Sequence, residues 1–555
     1  MNGKNRACGK HDALKGSSRD VVRPQRPSDA GRSPADRRPA AGFATFSAPP
    51  WAVPRPVLLG LVVASLFYFF SYPGVDNDLW GHLFFGKEIL REGRLPQQNL
   101  YSYTAPTHPW INHEWLAEVG CYAVYRALGS PGLVWLKILV GGAIVWLLDR
   151  ILRRQGPFPA ARVAALVWVM AILSPGFNVR PQLGSFLLLA ALMFLADRFE
   201  ARHGPVLYWA PCIMALWANL HGGFVAGLGA LALFGAWSIP GLWRAGDARW
   251  RAPLLLLVPL GLCLPALGLN PFGLRLLGFV ARDLRIDRPI TEWQPVNLLD
   301  GSFPAFKLAL VAMLPIVFKA GSWRRWQVPL AALAALFALQ HQRHIPLFGI
   351  VAAPLLAESV QGLLRRVRPL AMSALPSRLT RGVVLAALLG GALYQAIWIG
   401  RIHLRHGFRI VLSPLEYPTL ATDFMTRNGV RGNLAAPFDW GEYLIWKLYP
   451  QARVSIDGRY TTAYPMEVIE GLWGWQQGRR EWRNLAERYP TDLAITRPEQ
   501  PITGLLLADP RWVCLYQDAT AAIFVRDVAS QADLLRRSKA GRLLPPRDPG
   551  SSFPG

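Results

Sequence analysis

Long apolar runs separated by short polar turns dominate the first four hundred residues. They fall at 54–73, 131–149, 159–177, 182–197, 205–219, 222–242, 253–270, 303–319, 327–341, 345–362 and 382–402. Crossing the hydrocarbon core takes roughly 20 apolar residues as a helix, and most of these runs reach that length. Two, 205–219 and 327–341, are short, and each stands beside a better one. The pattern predicts a mainly α, polytopic helical membrane protein of about eleven transmembrane helices over 51–405. Two longer polar stretches, 74–130 and 271–302, interrupt it. Beyond 405 the pattern changes. Short β-like runs (NLAAPF, RVSID, TDLAIT, WVCLY, AAIFVR) alternate with helical ones (WGEYLIWKLY, MEVIEGLWGW, REWRNLAERY). That predicts a separate, small α/β soluble domain over 406–530. Residues 1–50 and 531–555 are polar and Pro/Gly-rich without periodicity, and both are predicted to be disordered.

Charge adds orientation to this picture. The chain of 555 residues is 52% hydrophobic and only 17% charged, yet carries a net charge of +25. So few charges could not cover a soluble protein of this size, and so much apolar content excludes general disorder. Five Cys exclude a disulfide scaffold, although Cys121 and Cys514 could pair. A mean hydropathy of +0.21 leaves room for a sizeable soluble part. Ten basic residues crowd 1–50 against four Asp. If that tail is cytoplasmic, alternate turns on the same side carry Arg150, Arg153, Arg154, Arg162, Arg198, Arg202, Arg324, Arg325, Arg365 and Arg366. The short turns on the other side hold only Arg180 and Arg343. The positive-inside rule therefore places the N-terminus in the cytoplasm, and the loops 74–130 and 271–302 and the C-terminal domain outside. The basicity reports orientation towards anionic lipid and not a nucleic-acid partner, because no soluble basic face interleaved with aromatics occurs.

The first outer loop holds the densest candidate chemistry. Asp76 and Asp78 follow the first span directly, two residues apart, in the series Asp-x-Asp-x-Trp-x-His. Such a pair can share a cation or divide base and ligand roles; Asp is also a favoured helix N-cap. His82 would share a helical face with Asp78. Further on, Trp110 leads into His113-Glu114-Trp115-Leu116 and Glu118. No zinc-protease motif is present, since Ala117 stands where its second His belongs. Glu114 is either a second carboxylate of the site or the acid at the head of a helix over 114–127. Arg180, His221, Arg343 and His344 fall at the outer ends of spans, where ionisable groups are costly and commonly functional. Cations there suit a lipid-linked phosphate. In the C-terminal domain Asp457-Gly458-Arg459 follows a strand, and Trp440 and Tyr460 could stack on a sugar ring.

This ordered series resembles the first extracytoplasmic loop of the GT-C glycosyltransferase superfamily. Its members are polytopic enzymes that include oligosaccharyltransferases, protein O-mannosyltransferases and lipid A aminoarabinose transferases. The early Asp-x-Asp, the His-Glu-Trp after a Trp, and a late Trp-Gly-x-Tyr-Leu…Asp-Gly-Arg tail carry the resemblance over about 55–530. It is nearest to bacterial members with a soluble C-terminal domain. It implies an inner-membrane enzyme taking a sugar from a polyprenyl-phosphate carrier to an extracytoplasmic acceptor, with membrane lipid around it. Asp76 or Asp78 would act as base or orient the acceptor, with Glu114 as a further carboxylate. His82, His113, Arg180, His221, Arg343, His344, Asp457 and Arg459 would bind substrate. A divalent cation is the one cofactor implied, with Asp76 and Asp78 as its ligands. The turn Phe177–Gln182 lacks the acid that several members place there, so Glu114 or the acids of 271–302 (Asp283, Asp287, Glu292) would substitute, or no metal is needed. Two other classes compete: a flippase or transporter of a lipid-linked or anionic solute, and a non-enzymatic envelope assembly protein.

Overall fold

The structure is a computed structural model that describes residues 53–244, 251–286, 288, 290–374, 377–548 and 550–554. The basic tail 1–50 and Asp287 lie outside the described residues. The helical part runs α1 (Arg55–Phe70), α2 (Leu79–Glu92), α3 (Trp115–Gln155), α4 (Pro159–Leu173), α5 (Gln182–Arg202), α6 (Ala210–Leu220), α7 (Phe224–Arg244), α8 (Arg251–Ala266), α9 (Arg275–Asp283), α10 (Pro304–Val317), α11 (Gln327–Gln340), α12 (Ile345–Ala374) and α13 (Ser377–His406). Every apolar run of the sequence coincides with a helix. Among the described residues six helices are long and apolar enough to cross a membrane, and five more, including α1, α8, α10 and α11, are apolar but only 10–17 residues long. More are short than the sequence pattern suggested. Pro265 and Pro315, in the last turns of α8 and α10, help explain two of them, because proline cannot extend a helical ladder.

α3 joins two functions in one helix. Its first turns, an amphipathic stretch, belong to the first long loop, and its remainder packs among the apolar helices. The break falls at Gly129, whose φ of 66° lies where side-chained residues are strained. Just beyond it Lys137, 3% exposed, donates from Nζ to the carbonyl of Tyr72 at 2.9 Å. That bond ties α3 to the end of α1, four residues ahead of Asp76.

The C-terminal part contains α14 (Thr419–Arg427), β1 (Gly432–Ala435), α15 (Gly441–Leu448), β2 (Ala452–Val454), α16 (Met466–Gln476), α17 (Arg483–Arg488), β3 (Leu493–Thr496), α18 (Pro501–Ala508), β4 (Trp512–Gln517), β5 (Ala522–Arg526) and α19 (Ala532–Lys539). The five strands order as β2-β1-β3-β5-β4, with β1 parallel to β2 and β3, and β5 antiparallel to β3 and β4. This is the expected small α/β unit, but it is not separate. Ser102 of the first loop bridges Val454 in parallel at the β2 edge, and Tyr103 N–H donates to the Val454 carbonyl at 3.2 Å. Leu79, Trp80, Phe84, Phe85, Tyr101 and Trp110 from the loop share one hydrophobic core with Leu434, Tyr443, Leu444, Ile456 and Tyr460. The loop is too polar and too short to bury its own aromatics, and the sheet domain closes over them.

The chain end is also ordered, against expectation. After α19, Val411 bridges both Gly74 and Ser552, so residues near 552 line up beside the end of α1's loop. Phe553 is buried, 5.3 Å from the Trp80 ring, and Trp80 Nε1 donates to the Pro554 carbonyl at 3.1 Å. A single buried aromatic compensates for the polar composition around it. Phe553→Ala should lower stability by about 3 kcal/mol, the usual cost of deleting a buried aromatic ring. Thermal unfolding of the purified protein, compared with an exposed control such as Leu415→Ala, checks it.

Candidate functional site

The two Asp of the first loop converge on one cation from another element. Arg180 stands in the tight turn before α5. Its Nε donates to Asp76 Oδ1 at 2.5 Å, its Nη2 lies 3.0 Å from Asp78 Oδ2, and its Nη1 donates to Glu292 Oε2 at 3.0 Å. Asp76 Oδ1 also accepts the Asp78 amide at 3.1 Å, and Asp76 Oδ2 accepts Asn178 Nδ2 at 3.1 Å. Both Asp76 oxygens are thus taken. Asp78 stands at the N-terminus of α2 without making a side-chain cap, so capping does not account for it. The Arg180 guanidinium lies between the two carboxylates, so the pair forms an Arg clamp.

Asp78, unlike Asp76, lines a cavity of about 660 Å³. That cavity also receives His82, His113, Glu114, Arg180, His221, Arg343, His344 and Arg459. The structure therefore brings nine of the eleven sequence candidates to one cavity and leaves Asp76 and Asp457 behind its wall. The opposite wall is apolar, formed by Phe186, Leu189, Ala226, Leu330, Leu333 and Leu347. Asp457 is fully buried, accepting Arg459 Nε and Nη2 at 2.7 and 2.6 Å and Tyr464 Oη at 2.5 Å. The Arg459 guanidinium lies over Trp110 at 4.5 Å and Phe85 at 4.8 Å. This pair welds the loop to the sheet domain. Trp440 is buried beneath Arg497 and does not line the cavity, whereas Tyr460 does. Cys121 and Cys514 are both free thiols.

Electrostatics separate the acids. Burial pushes the Asp78 carboxyl up to about 6, with Asp76 adding to the rise and Arg180 opposing it. Burial also acts on Glu114, but His113, His82 and Arg343 outweigh it and hold that carboxylate below its ordinary range. Glu114 heads α3 and makes no side-chain cap; its Oε1 instead lies 3.6 Å from His221 Nε2 and 3.8 Å from His113 Nε2. His221 Nδ1 accepts the Gly223 amide at 3.0 Å and pairs with Ser185 Oγ at 2.8 Å. Ser185 Oγ is itself the acceptor for Trp217 Nε1 at 2.7 Å, which leaves its proton for His221. Nδ1 is therefore an acceptor, and the ring proton sits on Nε2, facing Glu114. Burial lowers the His221 pKa to about 3, so the ring is neutral.

A second cluster was not assigned from the sequence. His82 Nδ1 lies 3.7 Å from Glu118 Oε1, and Asn112 Nδ2 donates to Glu118 Oε2 at 2.6 Å. His82, Glu114 and Glu118 each offer one ligand atom, all within 4.8 Å of one another. Glu118 stood three residues after the His-Glu-Trp motif, but only the helical turn from 114 to 118 reveals that both acids face His82. Glu442 was equally hidden. It is 4% exposed and reaches from α15 to accept the Gly81 amide at 3.1 Å. Burial, and next the Asp78 charge, raise its pKa well above the carboxylate range. A Cβ at Gly458 would stand 2.5 Å from Asp78 Oδ1 and 2.8 Å from Glu442 Oε1. Only glycine lets the C-terminal domain come this close.

The fold is a polytopic helical part carrying a C-terminal α/β part, and it has counterparts among solved membrane proteins. Among solved structures it is similar to the archaeal oligosaccharyltransferase AglB from Archaeoglobus fulgidus, in complex with an inhibitory peptide and a dolichol-phosphate, at TM-score 0.51 and 11% identity over 80% of this chain and 69% of that one. It also aligns with ArnT from Cupriavidus metallidurans bound to undecaprenyl phosphate, at TM-score 0.48 and 13% identity over 86% of this chain and 98% of that one. No protein-family model and no curated protein matches the chain. Gly458→Ala should push the Asp78 carboxylate aside while the protein stays folded, since the added Cβ would stand 2.5 Å from its Oδ1. A structure of the variant paired with a thermal melt checks it.

Proposed function

We propose that this protein is an integral membrane glycosyltransferase that moves a sugar from a polyprenyl-phosphate carrier to an acceptor on the side of the C-terminal domain. One observation carries the reading. Within the GT-C fold, a clamped carboxylate, Asp78, and two cations, Arg180 and Arg343, meet at the polar end of a cavity whose other wall is apolar. The apolar wall suits isoprene units and the cations suit the phosphate. The acceptor hydroxyl would attack the anomeric carbon, giving its proton to Asp78 as the bond from that carbon to the phosphate oxygen breaks. Asp76 would orient Arg180, and Arg180 and Arg343 would hold the leaving phosphate. Tyr460 lines the cavity and would offer an aromatic face for sugar.

The His82–Glu114–Glu118 group fits a divalent cation. One imidazole and two carboxylates form a common ligand set for zinc or a similar metal, and Glu114 is held in its charged form. A cation there would add positive charge beside the phosphate. Metal analysis of the purified protein should find about one equivalent, lost in the His82→Ala/Glu118→Ala double variant. Equal metal in both would remove the assignment.

Replacing Asp76 and Asp78 together by Asn should abolish transfer from a polyprenyl-phosphate sugar while expression and membrane insertion persist. Full activity in that variant would overturn the site. A base must be ionised to accept a proton, and the Asp78 pKa is raised to about 6. Transfer should therefore rise with pH through about 6 and level off above it, and Asp78→Asn should leave a residual rate without that step. A pH–rate profile of both proteins checks this.

A further inference from the structure

Glu292 sits where a second anion would bind. Its Oε2 accepts Arg180 Nη1 at 3.0 Å, and its Oε1 lies 3.6 Å from Arg343 Nη1. One carboxylate so bridges the two guanidiniums at the polar end of the cavity, and it lines that cavity itself. To a guanidinium, a carboxylate and a phosphodiester present the same recognition element: two anionic oxygens on one atom. The arm to Arg343 is longer than a hydrogen bond, so this end of the bridge is held by charge alone.

The backbone around Glu292 is fixed independently of its side chain. His341 Nδ1 pairs with the Trp293 carbonyl at 2.6 Å, the Gln342 amide donates to Gln294 at 3.2 Å, and the Val296 amide donates to Leu339 at 2.9 Å. The Trp293 ring has Arg343 at 4.4 Å and Arg288 at 4.5 Å. These contacts keep Arg343 in place without help from Glu292. The Glu292 side chain is 36% exposed, which leaves it open space to rotate into.

We propose that Glu292 is a resident anion in the phosphate seat, and that the donor's phosphate binds by displacing this side chain from between Arg180 and Arg343. The inference rests on the polyprenyl-phosphate reading above. Arg180 keeps Asp76 and Asp78 throughout, and the phosphate takes over the third charge that Glu292 gives up. The return of Glu292 then competes with the spent carrier phosphate and favours its release. An internal occupant lowers apparent affinity by the fraction of molecules in which the seat is free. A seat filled nine-tenths of the time weakens binding about tenfold.

The test measures binding of farnesyl phosphate to the full-length purified protein at low salt, with farnesol as the uncharged control. Glu292→Gln keeps the shape and removes the charge; Glu292→Ala removes the group. Both are expected to bind farnesyl phosphate about tenfold more tightly than wild type, with farnesol unchanged. Arg343→Ala is expected to bind it at least about tenfold more weakly. If wild type prefers farnesyl phosphate to farnesol and Arg343→Ala loses that preference, yet neither Glu292 variant tightens, the displacement is wrong and the phosphate seat stands. If wild type does not distinguish farnesyl phosphate from farnesol, the carrier reading itself falls.

Discussion

Arg180 is the interaction on which the rest depends. One guanidinium takes a carboxylate from the end of the first helix's loop, a second from the head of α2, and a third from the turn Thr291–Trp293. The head of the first loop, the turn before α5 and the turn Thr291–Trp293, far apart in sequence, are thereby set at one point. Neither partner is stable there alone: a buried guanidinium or carboxylate without its counter-charge costs several kcal/mol. The arrangement also divides labour between the two Asp. Asp76 has no oxygen to spare, whereas Asp78 keeps one carboxylate edge towards the cavity.

A second constraint is the shared core of loop and sheet domain. The aromatic side chains of the loop cannot be buried by the loop itself, and α3, through Leu133, Val134 and Ile138, gives them only part of the face they need. The C-terminal domain supplies that face, and in doing so brings Glu442, Gly458 and Tyr460 to the cavity. Asp457 and Arg459 are the rivet. Their charges satisfy each other in a ring of aromatics, where a cation gains from the π faces that surround it. The residues read from sequence as a sugar contact thus act first as a joint, with one face of Arg459 reaching the cavity.

Much of the fold was legible because each span must satisfy its own backbone and present an apolar surface, which writes a periodic and lengthy signal into the chain. The candidate acids and the two exceptional Arg were legible for a related reason. Charge at the ends of spans is expensive, so its presence stands out. Glu118, Glu442 and Gly458 were not legible as site residues. A Glu one helical turn on from another, a Glu in a Trp-Gly-x-Tyr-Leu run, and a Gly between two charges all have ordinary structural uses, and nothing local marks which side chain faces a cavity. The order at 550–554 was hidden because one Phe in a polar segment carries little pattern.

The sequence by itself determined the class of fold, the succession of helices, the α/β character of the C-terminal part and the pool of charged residues at one end of the spans. Local periodicity and the cost of burying charge suffice for these. Only the tertiary structure decided which members of the pool meet. It gave Asp78 the cavity and Asp76 the clamp, gathered His82, Glu114 and Glu118 within reach of one another, and set Glu292 between two Arg. Those choices depend on helix packing, and on the sheet domain closing over the loop. Such contacts join residues hundreds of positions apart and leave no local trace in the chain.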